Sequence, residues 1–100
     1  MWIMHPIERA ARAICADLGV DPDSNVDFEA EVRPAWKEHI ATVCSALQAM
    51  RDPSRSMMEA GAEITRNVGR AESDAAYIND AANVWRFMID AALSEWTRPD

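Results

Sequence analysis

Three glycines and two cysteines are all that this 100-residue chain holds of either residue. So few glycines, with no strand ahead of them, exclude a glycine-rich loop that cradles phosphate. Two cysteines are too few for a disulfide framework. Cys15, Cys44, His5 and His39 stand singly, without Cys-x-x-Cys or His-x-x-x-His spacing, so neither a metal site nor a cofactor is expected. Cys15 neighbours Ile14 and Leu18, and Cys44 neighbours Val43 and Leu47, which reads as two buried free thiols. His39 beside Glu38 has no accompanying nucleophile or oxyanion pattern, so no catalytic residue is assigned and no enzyme is expected.

Long hydrophobic runs are missing too. Nothing approaches the roughly 20 consecutive apolar residues of a membrane-spanning helix. The start, Met1-Trp2-Ile3-Met4-His5-Pro6, has neither the basic flank nor the apolar stretch of a secretory signal. The expectation is a soluble, cytoplasmic protein with no membrane contact. A pI near 4.7 and the lack of a basic patch with interleaved aromatics oppose direct nucleic-acid binding. Aliphatic runs with the period of two that marks a strand are also missing.

What is present favours helix. Eighteen alanines, four tryptophans and six methionines supply helix formers and bulky core material. The length predicts a single domain over residues 1–100 with one core. A first helix is expected from Pro6 to Leu18, with Ile7, Ala11, Ile14 and Leu18 on one face and Gly19 as its stop. A second should run from Pro34 to Met50 on a stripe of Trp36, Ile40, Val43, Leu47 and Met50. Asp52-Pro53-Ser54 breaks it, and Asp52 or Ser54 can cap a short third helix from Arg55 to Arg66. Gly61 inside that helix costs about 1 kcal/mol relative to Ala and suits close approach of another helix. The fourth helix, Ser73 to Trp96, keeps its apolar period for over six turns, and its wide stripe suggests contact with several helices. The expected fold is all-α: a small bundle of three long helices and one short helix, with an acidic loop between the first two.

That loop holds most of the charge. Asp17, Asp21, Asp23, Asp27, Glu29 and Glu31 fall in one stretch without Lys or Arg, in a chain of net charge −7. The oxygen side chains at alternate positions from Asp21 to Glu29 follow a calcium-binding loop. Val26 stands where that loop needs Gly, however, and Val32 where it needs a bidentate Glu. Asp21, Asp23, Asp27, Glu29 and Glu31 are therefore read as a partner-binding surface rather than a metal site. The arginine pairs Arg51/Arg55 and Arg66/Arg70 read as solvated or paired with Glu59, Glu63 and Asp74, with a small phosphorylated ligand as the alternative. Trp2 is expected to cover a bundle end or meet a partner, and Met57-Met58 to fill the core or form an adaptable contact.

Five segments carry a wider likeness: Glu8-Arg9-Ala10-Ala11-Arg12-Ala13, Asp21-Pro22-Asp23, Trp36, Arg51-Asp52-Pro53-Ser54 with Met57-Met58-Glu59-Ala60-Gly61, and Trp85 to Leu93. On these the chain resembles small uncharacterised helical proteins encoded by phages and prophages of proteobacteria. The resemblance implies a genomic setting and a helical fold; it assigns no catalytic or binding residue. Three functions are compatible with that setting. The first is an anti-CRISPR-like inhibitor whose carboxylates occupy the cationic nucleic-acid site of a bacterial host protein, such as a CRISPR effector, acting as a DNA mimic. The second is a phage structural or assembly protein that forms a homo-oligomer through its helices. The third is a sponge for a nucleotide signal, built on Arg51, Arg55, Arg66 or Arg70.

Overall fold

The computed structural model describes residues 4–28, 31–68 and 73–97. It is mostly helical, as expected, with one small antiparallel sheet. In chain order the elements are α1 (Pro6–Asp17), β1 (Asn25–Phe28), β2 (Glu31–Pro34), a 3-10 helix (Ala35–His39), α2 (Ile40–Ala49), α3 (Arg55–Val68) and α4 (Asp74–Thr97). Contacts group the chain into two compact units, Met1–Ala46 and Leu47–Asp100.

In the first unit, α1 starts with Pro6 at its first turn and His5 as its cap, whose Nδ1 accepts from the Ile7 N–H at 3.0 Å. The helix stops where the sequence places the stop. Gly19 takes φ 72°, its N–H donates to Ala16 O, and the Val20 N–H donates to Cys15 O at 2.9 Å. This is the paired closure that a left-handed glycine permits. The buried face differs from expectation. Ile7, Ala11 and Cys15 are fully buried, at a spacing of four, whereas Leu18 is 64% exposed because it lies past the last helical turn.

The acidic segment is a loop only as far as Ser24, and a small sheet follows it. Residues 25–28 and 31–34 pair antiparallel, Asn25 with Pro34, Val26 with Arg33, Asp27 with Val32 and Phe28 with Glu31. Asn-Val-Asp-Phe and Glu-Val-Arg-Pro both alternate polar with apolar or ring residues, the period of a strand, over only four positions. The residues between them are Glu29-Ala30, not the Asn-Gly or Asp-Gly that announces a two-residue hairpin. The strands are therefore legible only in hindsight.

The second helix also begins later than expected, at Ile40, after a 3-10 turn that carries the buried Trp36. The first N–H groups of the 3-10 turn, which a helix leaves without an internal partner, are satisfied by the acidic turn: Ala35 donates to Ser24 O at 2.8 Å and Trp36 to Pro22 O at 3.1 Å. These bonds close the chain between residues 22 and 36 into one loop-and-ribbon unit, and α1 packs on the 3-10 helix at its end.

In the second unit, α3 packs against α4. Ser54 caps α3, its Oγ accepting from the Met57 N–H at 3.3 Å, and Ser73 caps α4 through the Ala76 N–H at 3.2 Å. Gly61 stands against Ala81, and a methyl group in its place would lie 2.8 Å from the Ala81 Cβ. That close approach is why glycine is kept here despite its cost in a helix. α3 runs for 14 residues against 12 for α1 and 10 for α2. Ala62, Tyr77, Ala82 and Ile89 are buried in this unit.

The segment ahead of α3 is fastened to α4. The Trp85 indole N–H donates to Met50 O at 2.7 Å, and Arg86 pairs with Asp52 at 3.4 Å. Arg51 grips Asp90 with two hydrogen bonds, at 2.8 and 3.0 Å. The Arg51 hydrogen bonds hold the Asp90 carboxyl below its ordinary value, against a smaller opposing effect of desolvation. The stability this pair contributes is present above the ordinary carboxylate pKa and is lost as pH falls through the lowered one. Asp90→Asn is expected to flatten the acid limb of unfolding in that window. Equal acid sensitivity of variant and parent, followed by circular dichroism, would contradict the assignment.

Candidate functional site

The four described carboxylates among the five singled out in the sequence do not form one flat patch. Asp21 is turned to its own turn: its Oδ1 accepts from the Asp23 N–H at 3.0 Å, and its carbonyl accepts from the Ser24 N–H and hydroxyl. Asp23 is latched to α1, its Oδ1 accepting from Arg12 Nη1 at 2.9 Å. Asp27 lies on β1 and Glu31 on β2, both exposed. Glu29 lies outside the described residues.

The strand register separates the last two described carboxylates. Asp27 pairs with Val32, and these share a face with Asn25 and Pro34. Glu31 pairs with Phe28 and shares the opposite face with Val26 and Arg33, the Arg33 Nε lying 3.9 Å from Glu31 Oε2. The result is a narrow ribbon carrying an acid on each face. Each strand has a single partner strand among the described residues, so both outer edges are edges of the sheet.

Arg12 fastens the turn that leads into this ribbon. Its Nε donates to Glu8 Oε2 at 2.8 Å one helical turn back, and its Nη1 reaches Asp23. The guanidinium also lies 5.4 Å from the centre of the Trp36 ring, and the Lys37 ammonium lies 5.6 Å from it. The Glu8 hydrogen bond chiefly, then Asp23, raises the Arg12 pKa against desolvation. The Glu8/Arg12 spacing of four was readable in the sequence. The Arg12–Asp23 pair and the stacking on Trp36 were not, because eleven and twenty-four residues of chain separate the partners.

No family model, curated protein or solved structure matches this chain. The chemistry of the site itself therefore carries the reading. Among the described residues, no three His, Cys, Asp or Glu side chains converge on a point where a metal ion would sit. No described helix is long and apolar enough to cross a membrane.

The described arginines among those considered for a phosphorylated ligand are engaged by carboxylates. Arg51 meets Asp90, Arg55 meets Glu59 at 2.9 Å, and Arg66 meets Asp74 at 3.2 Å and Glu63 at 3.8 Å. Arg66 also lies 5.7 Å from the Tyr77 ring centre. Arg55, Glu59, Glu63, Arg66, Asp74 and Ile78 line a shallow polar groove in which acids outnumber bases by three to two. An anion gains little there. Arg70 and Trp2 lie outside the described residues.

Proposed function

We propose that this chain is a non-enzymatic binding protein of the phage or prophage type, which inhibits a bacterial host protein by docking its acidic ribbon into a cationic groove. The observation that carries the reading is the register of the ribbon, which gives each face an exposed carboxylate, Asp27 on one and Glu31 on the other. A ribbon two strands wide, about 5 Å between strand axes, enters a groove that a flat acidic surface would only cover. Carboxylates on both faces then meet both walls of the groove, where they stand in for phosphates.

The latch from Arg12 to Asp23 and the bonds from Ala35 and Trp36 hold the base of the ribbon, so little ordering remains to be done on binding. The partner that fits is a host nucleic-acid-binding protein, and an anti-CRISPR-like action on an effector complex is the specific form of this proposal. Tagged protein captured from host lysate at low salt should retain such a partner and release it as salt rises, because the attraction is screened. Capture that is indifferent to salt would count against the mechanism.

A further inference from the structure

We infer that His5 makes the start of α1 an acid-sensitive clasp: the neutral imidazole caps the helix, and a proton on it releases the first turn. The inference does not depend on the acidic ribbon. The cap accepts through a ring nitrogen, Nδ1, which takes the Ile7 N–H at 3.0 Å. An N-cap is ordinarily Ser, Thr, Asp or Asn, whose side-chain oxygen keeps its lone pairs at neutral pH. The accepting nitrogen of an imidazole has one lone pair, and a proton taken up there turns the acceptor into a donor. Histidine is the side chain that changes charge between pH 5 and 8. The helix therefore starts on a cap that proton uptake switches off.

The surroundings add to the cost of that proton. A ring that accepts at Nδ1 carries its hydrogen on Nε2, and Nε2 is shielded from solvent. The new charge would sit on a half-buried ring at the positive end of a 12-residue helix. The ionised groups of α1 nearest in sequence are Glu8, Arg9 and Arg12. Those on the 3-10 helix, the described element that packs on α1, are Lys37 and Glu38, with His39 titratable beside them. Glu8 is the acid of the first turn, and its Oε2 is already taken by Arg12 Nε at 2.8 Å. Arg9 and Lys37 oppose a further cation, and Glu38 is exposed.

Ile7 ties this cap to the core. The residue whose N–H the ring accepts is also the one whose side chain is fully buried at the head of α1. Losing the acceptor leaves that N–H without its cap and frays the turn that carries Ile7. Ala11 and Cys15 continue the same buried face one and two turns further on. The stability contributed by the cap is thus present at pH 8, where the ring is neutral, and is lost as the pH falls toward 5. The Arg51–Asp90 pair of the other unit acts at lower pH, in the carboxylate range, so the two effects separate.

Urea unfolding of the full chain at pH 8 and at pH 5, followed on the NMR amide signals of Ala11 and Cys15, tests the clasp. His5→Ser keeps an N-cap acceptor that does not titrate. Both proteins compared carry His39→Gln, which removes the other of the two histidines. The folding equilibrium constant of the His5 protein, divided by that of His5→Ser, should fall roughly 5-fold from pH 8 to pH 5, the contribution of one cap. Groups common to both proteins cancel in that quotient. His5→Ala, uncapped at either pH, should show no such fall against His5→Ser. A second measurement needs no substitution: at pH 8 the nitrogen NMR signals of the His5 ring should place its hydrogen on Nε2. A quotient that stays constant or rises toward pH 5, or a ring with its hydrogen on Nδ1 at pH 8, overturns the inference. Neither result touches the ribbon, whose failure shows instead as salt-indifferent capture.

Discussion

Replacing Asp27 and Glu31 together by lysine is expected to weaken binding to the cationic partner by about 100-fold at low ionic strength. Each reversal turns an attraction into a repulsion on one face of the ribbon, and the faces meet different walls of the groove. Either single reversal should therefore cost less than the pair, with the two effects adding. The fold has little at stake, because both side chains are exposed and the one ion pair lost, Glu31 with Arg33, is long at 3.9 Å. Net charge is controlled by reversing the exposed Glu63 and Asp80 on the second unit. Each reversal adds two charges, so both double variants carry −3 instead of −7. Equal weakening by the two would mean that overall charge matters and the ribbon does not. Surface plasmon resonance over a salt series separates these outcomes.

Truncating Ile7 to alanine should destabilise the first unit by about 2–5 kcal/mol. Ile7 is fully buried near the start of α1, and α1 packs on the 3-10 helix that holds Trp36. Its removal leaves a cavity, and the short 3-10 turn that α1 rests on has its backbone tied to residues 22 and 24. Folding stability of a small domain is on the order of 5 kcal/mol, so this loss approaches the whole of it. Leu18→Ala is the informative companion. Sequence periodicity places Ile7 and Leu18 on one face, yet Leu18 is 64% exposed, and its truncation should cost within about 0.5 kcal/mol. Urea unfolding followed at 222 nm measures both. A large effect at Leu18 would contradict the packing described for α1.

The contrast between those residues shows where the sequence was legible. Helix ends were, because their chemistry is local. Pro6 opens α1, Gly19 closes it, and Ser54 caps α3, each by bonds that span a few residues. Gly61 was legible as a point of close approach, since a glycine inside a helix has few other physical reasons to be there. The ribbon was hidden by shortness and charge. Two strands of four residues offer two apolar positions apiece at most, and the acids that crowd them mimic a solvated loop. What fixes the ribbon is long-range: the Arg12 latch, and the donation of Ala35 and Trp36 to carbonyls of the acidic turn. The candidate site was thus readable as a set of carboxylates and unreadable as a geometry, because period and spacing say nothing about which face of an unseen strand an acid occupies.

Competition for one site tests the central claim most directly. With the captured partner immobilised and a short fluorescent nucleic acid bound to it, titration with this chain should displace the nucleic acid fully. The displacing affinity should fall as salt rises, with the Asp27→Lys, Glu31→Lys double variant far weaker than the parent. Simultaneous binding of chain and nucleic acid, or displacement that the double variant performs as well as the parent, would contradict it.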